Sequence, residues 1–190
     1  MSYDLICIGS SWGGLRAIET LLTDIPAEID TPIVIAQHRD AQESALAEVF
    51  SRHTARKVVD AVDKQAIERN YVYLAPPDYH LLVEPGSFAL SLEERVQYSR
   101  PSIDVLFESA ADAYGPSVIG VILTGANADG AEGLARIKRR GGVAVIQDPA
   151  EAERRAMPDA AIASTAADAV LPLGEIGKFI YGLCLEPAKT

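Results

Sequence analysis

The residues from Tyr3 to Gly14, YDLICIGSSWGG, leave the backbone little choice. Leu5-Ile6-Cys7-Ile8 is a short unbroken apolar run, the pattern of a strand buried on both faces. It passes directly into Gly9-Ser10-Ser11-Trp12-Gly13-Gly14, and then into LRAIETLL, whose apolar residues recur at helical spacing. A strand, a glycine turn and a helix are thus joined end to end, and a strand of this kind needs parallel neighbours. Pro32–Ala36, Val118–Leu123 and Val143–Ile146 repeat the buried-strand pattern with helical segments between them. The alternation predicts an α/β fold, a doubly wound, mostly parallel sheet with helices on both faces. Residues 1–190 read as a single domain, since no repeat, low-complexity stretch or linker interrupts them, and 48% apolar content suffices for one core.

The remaining elements follow from spacing and punctuation. The first helix is expected over about Gly13–Thr23, and a second over about Glu43–His53 with Leu46, Val49 and Phe50 inward. Between Lys57 and Leu92, short β-prone runs (Val58-Val59, Tyr71–Leu74, Leu81–Val83, Phe88–Leu90) are separated by Asn70, Pro76-Pro77-Asp78 and Pro85-Gly86. That pattern predicts a hairpin-rich antiparallel insertion beside the parallel sheet. Ser102 is the expected N-cap of a third helix, with Asp104 in its first turn and Val105, Leu106 and Ala110 buried. A fourth helix ends in Arg136-Ile137-Lys138-Arg139-Arg140-Gly141-Gly142, where cations offset the helix dipole and glycine ends the helix. Met157-Pro158 opens another helix, Val170-Leu171 is a short strand, and Leu173–Leu185 a final helix.

Composition removes several classes of function. A formal net charge of -10 disfavours general nucleic-acid binding, which rests on neutralising phosphates. No apolar run is long enough to span a bilayer, and Met1 stands directly before the first strand, so neither a signal peptide nor an anchor is expected. Cys7 and Cys184 lack the spacing of a zinc knuckle or redox pair and suit a reducing cytoplasm, although one disulfide between them stays open.

The chemistry concentrates at strand ends. Ser11 centres Gly9-x-Ser11-x-Gly13, the spacing of a nucleophile elbow, and the amides after it lie at a helix N-terminus that can receive an oxyanion. His38 follows the second strand, and Asp129 lies in Thr124-Gly125-Ala126-Asn127-Ala128-Asp129-Gly130 after the third. A serine hydroxyl needs an imidazole to take its proton, and the imidazole needs a carboxylate to hold its tautomer. Plainer readings stand beside these: a glycine-rich βα turn, a satisfied strand-end histidine, and an aspartate capping the fourth helix. His53 is expected to be solvated and His80 structural, while Asp4, Asp40 and Asp148 are rival carboxylates.

GSSWGG with AIETLL, then IVIAQH, YLAPPDYHLLVE, RPSIDVLFESAADAYG, VIGVILTGANADGAEGL and AMPDAAI, in this order, resemble the catalytic domain of CheB. CheB is the bacterial chemotaxis protein-glutamate methylesterase, whose members also deamidate receptor glutamines. The resemblance runs from about Asp4 to Phe179. It implies a doubly wound sheet with an antiparallel hairpin, a triad of Ser11, His38 and Asp129, and an oxyanion hole from the backbone amides of Trp12 and Ala126. It implies no cofactor and no metal. The implied partner is the cytoplasmic helical bundle of a chemoreceptor, with room for a separate regulatory or methyltransferase partner, and Arg39, Arg100, Arg154 and Arg155 are candidates to meet its acidic surface. Nucleic acid and membrane insertion are not expected, and the location is the cytoplasm.

The chain departs from the better-known members at Trp12, where they carry threonine, at Ala126, where they carry methionine, and at Asn127-Ala128, which replace Gly-Asn. Trp12 is expected to crowd the cleft mouth or stack on substrate. The family's usual receiver domain is not seen before the catalytic strand, so an esterase without phosphorylation gating in cis is expected. Two rivals remain, a scaffold or differently targeted protein of the same fold, and a nucleotide-binding module, which lacks its Gly-x-Gly-x-x-Gly spacing.

Overall fold

The computed structural model describes residues 3–38 and 45–185. In chain order the elements are β1 (Leu5–Ser10), α1 (Gly14–Asp24), β2 (Ile33–Gln37), α2 (Leu46–Phe50), β3 (Lys57–Asp60), β4 (Tyr71–Leu74), β5 (His80–Glu84) and β6 (Ser87–Ser91). They continue with α3 (Ile103–Tyr114), β7 (Val118–Ile122), α4 (Ala131–Arg139), β8 (Val143–Gln147), α5 (Ala156–Ser164), β9 (Ala169–Leu171) and α6 (Leu173–Leu185). Seven strands form one parallel sheet in the order β3-β4-β2-β1-β7-β8-β9, and β5 and β6 form a separate antiparallel pair.

β1 is the central strand because every side chain on it is suited to burial. Leu5 and Cys7 face one core, with Phe107, Leu134 and Met157 from α3, α4 and α5. Ile6 and Ile8 face the other, with Ile18 and Leu21 from α1, Phe50 from α2 and Ile176 from α6. The sheet winds outward from β1 in both directions, which makes the carboxyl ends of β1, β2 and β7 the natural place for a ligand.

The insertion is smaller than the turn signals between Lys57 and Leu92 suggest. Val58-Val59 and Tyr71–Leu74 are strands of the main parallel sheet, paired Lys57 to Tyr71 through Asp60 to Leu74. Only β5 and β6 make the hairpin. The intervening residues reach across instead: Phe88 N donates to Gln65 O and Ile67 N to Gly86 O, so this segment edges the hairpin. Tyr73 ties the two parts together, stacked on Tyr71 and edge-on to Phe88.

Other differences are local. α2 is one short turn, buried through Leu46 and Phe50, and Glu43 lies outside the described residues. On α3, Ile103 and Phe107 share the buried face with Leu106 and Ala110, and Val105 is half-buried. The cysteines are both free. At the basic end of α4, Arg136 and Arg140 both pair with Asp112 and Lys138 pairs with Asp168. Gly141 follows it at φ 88°. Among the described residues no helix is long and apolar enough to cross a membrane.

Candidate active site

The turn after β1 is held from three sides. Ser11 N donates to Thr124 O beyond β7, Gly14 N donates back to Ser11 O, and His38 N donates to Ser10 O. The parallel ladder pairs Ser10 with Gln37, so Ser11 and His38 are the next residues on adjacent strands. Neighbouring strands lie about 4.8 Å apart, which places serine and imidazole side by side on the sheet edge. Gly13, at φ 78°, turns the chain into α1, and a β-carbon there would come within 2.8 Å of Glu153 Cβ.

Gln37 fastens this edge. Its Nε2 donates to Ser11 O and His38 O, both at 2.9 Å, and its Oε1 accepts from Ser10 Oγ. Thr124 does the same on the other flank, donating to Trp12 O at 3.0 Å while Gln147 Oε1 accepts from Thr124 N. Neither role was assigned from sequence; the available signal was a buried amide or hydroxyl ending an otherwise apolar strand.

Two helix N-termini cross behind His38. Asp129 Oδ2 lies 2.7 Å from His38 Nε2 and accepts from Ile103 N, while Oδ1 accepts from Ser102 Oγ and Asp104 N. Asp129 therefore caps α3, not the α4 that follows it in the chain. Reciprocally, Asp104 Oδ1 accepts from Gly130 N and Gly133 N and so caps α4. Gly130, at φ 95°, lets α4 start hard against Ile103. Burial opposes charge on Asp129, but the His38 contact and the two α3 amides outweigh it and hold its carboxyl below the ordinary range. On Asp104 burial dominates, with the charge of Asp129 adding to it, and the carboxyl is pushed up to about 6. Paired carboxylates split in this way when one of them is the better stabilised, here Asp129 with His38 beside it.

A carboxylate only accepts, so the Nε2 facing Asp129 carries the proton and Nδ1 is left as the basic nitrogen. Nδ1 lies 3.4 Å from Ser99 Oγ and 3.4 Å from Asn127 Nδ2. Among the described residues no hydrogen bond joins it to Ser11 Oγ, a distance that commonly tightens only with substrate bound. His38 is nearly buried, and with Ser11, Trp12, Arg100 and Ala126 it lines a cleft of about 480 Å³. The amides of Trp12 and Ala126 donate to no other described group. Trp12 is 59% exposed, its Nε1 donating to Glu153 and its ring lying under the Arg154 guanidinium. It forms a wall of the cleft without closing it.

The other titratable residues sit elsewhere. His80 is buried, between Glu94 O and Ser102 N. His53 is half-buried rather than solvated, near Thr23 and Glu19. Asp4 lies at the opposite end of β1, Asp148 makes a turn with Ala150, and Asp40 and Arg39 are outside the described residues. Arg155 pairs with Asp159 on the surface.

The CheB methylesterase family matches residues 6–180. The chain belongs to that family. A Leptospira interrogans relative, provisionally named a protein-glutamate methylesterase/protein-glutamine glutaminase, is 46% identical over 96% of both chains. The protein-glutamate methylesterase FrzG of Myxococcus xanthus is 41% identical across 92% of this chain, which spans 53% of FrzG. The crystal structure of the Thermotoga maritima CheB methylesterase catalytic domain superposes with a TM-score of 0.90 at 31% identity, covering 96% of this chain and 100% of that one.

Proposed function

We propose that this CheB family member hydrolyses glutamate γ-methyl esters on chemoreceptors, with Ser11 as nucleophile. The single observation that carries the assignment is the 2.7 Å contact between His38 Nε2 and Asp129 Oδ2, made beside Ser11 at the sheet's carboxyl edge. Ser11 Oγ attacks the ester carbonyl as its proton passes to His38 Nδ1, and the amides of Trp12 and Ala126 receive the oxyanion. Asp129 stabilises the imidazolium, which protonates the departing methoxide; methanol leaves and an acyl-enzyme remains. Water, deprotonated by His38, attacks that ester and releases the glutamate carboxylate and Ser11. The same steps release ammonia from a glutamine side chain.

No step requires a metal or organic cofactor. The continuous cores on either side of β1 support residues 1–190 acting as one catalytic domain. The substrate lies on receptor helices in the cytoplasm, which sets the enzyme's location. The test is methanol release from methylated receptor by wild type and Ser11→Ala. Loss of release in the variant is expected, and equal rates refute the assignment.

A further inference from the structure

We propose that the turn at Gln97-Tyr98 grips the substrate, with Tyr98 and Trp12 seating an acidic helix whose glutamate ester enters the cleft. The inference rests on the esterase reading and adds residues that determine which esters are accepted.

Val96 and Ser99 exchange both backbone hydrogen bonds, Val96 N to Ser99 O at 3.2 Å and Ser99 N to Val96 O at 2.8 Å. They enclose a two-residue hairpin turn whose central residues, Gln97 at φ 46° and Tyr98 at φ 66°, are both left-handed. Asn-Gly is the usual occupant of such a turn, because a β-carbon is crowded there. A tyrosine that is 94% exposed gains no burial to offset that strain. Strain of this kind persists where the neighbouring structure enforces it. Here Gln97 Nε2 donates to Asp104 Oδ2, and Arg100 Nη1 donates to Leu92 O and Glu93 O. The turn is thereby anchored to the aspartate that caps α4, and Ser99 beside it approaches His38.

Tyr98 lines the same cleft as Ser11, and Trp12 is the other aromatic on its walls. Arg95 and Arg100 also line it; Arg95 is paired with Asp78 at 3.2 Å, while Arg100 meets no carboxylate among the described residues and so supplies positive charge at the cleft on a chain of net charge -10. Two exposed rings offer apolar area at small entropic cost, and Arg100 favours a helix face carrying unmodified glutamates around the ester.

The probes are a synthetic helical hairpin with one glutamate γ-methyl ester flanked by glutamates, and N-acetylglutamate γ-methyl ester. For Tyr98→Ala, the preference for the hairpin, taken as the ratio of kcat/KM values, is expected to fall about tenfold, mostly through KM. Tyr98→Phe restores most of it. Tyr98→Gly loses the preference equally but raises the melting temperature by about 2 °C, since glycine relieves the left-handed strain. An unchanged preference in Tyr98→Ala, or a lowered melting temperature in Tyr98→Gly, overturns the proposal. Ser11→Ala separates the two readings. If it is inactive while the Tyr98 variants behave as wild type, the esterase reading stands and only the gripping role fails; if it still releases methanol, both fail.

Discussion

Replacing Asp104 by Asn is expected to stabilise the protein at neutral and alkaline pH, although Asp104 accepts three hydrogen bonds. Its carboxyl is raised from 3.8 to about 6, by burial first and by the neighbouring Asp129 charge, against the opposing pull of the Gly130 and Gly133 amides. An acid raised in the fold contributes stability that is fully present below its unfolded value and is lost as pH rises through its folded value. At 1.36 kcal/mol per pH unit, ionised Asp104 costs about 3 kcal/mol above pH 7 and under about 1 kcal/mol near pH 4. Asparagine keeps an oxygen for the Gly130 and Gly133 amides, and Gln97 can turn its own amide to accept from the new NH₂. Asp104→Asn is therefore expected to exceed wild type by up to about 3 kcal/mol at pH 8, the gap closing towards pH 4. Urea unfolding of both proteins at the two pH values measures it. Equal stability at pH 8, or a gap that does not shrink in acid, refutes the reasoning.

Asp129→Asn is expected to lower kcat by about 10⁴-fold, because its single oxygen cannot replace both Oδ2, which faces His38 Nε2 and Ile103 N, and Oδ1, which accepts from Ser102 Oγ and Asp104 N; with the oxygen turned to the α3 side the NH₂ faces Nε2, and the imidazole loses its fixed tautomer. Methanol release measures this, and a variant keeping most of the wild-type kcat contradicts it. Gly13→Ala is expected to cost about 1–3 kcal/mol, from its φ of 78° and the 2.8 Å approach to Glu153 Cβ. An unchanged urea midpoint speaks against that local geometry.

Local pattern was enough for the layers of this fold and for the elements bearing the candidate site. A run such as Leu5–Ile8 is apolar on both faces only because two helical layers cover it, and an apolar strand passing into glycine and then a helical pattern admits few continuations. The motif order, from GSSWGG through LTGANADG, carried the family resemblance and with it Ser11, His38 and Asp129. Where the chain returns was not local information. Val58-Val59 and Tyr71–Leu74 carry the residues of either a hairpin or strands of the parallel sheet, and their pairing with each other and with β2, with Tyr73 packed between sheet and hairpin, decides between them.

The aspartates make the division sharper. Asp104 and Asp129 each sit beside a helix start in the chain, and that proximity suggests each serves the helix it precedes or begins. Folding crosses α3 over α4 and exchanges them, so Asp129 caps α3 and receives His38, while Asp104 caps α4 and holds Gln97. Residue types and their spacing determined which groups were available for chemistry. Which donor reaches which acceptor depended on segments about 25 to 90 residues apart meeting at one sheet edge, and a hydrogen bond is specified by that three-dimensional approach, not by neighbourhood along the chain.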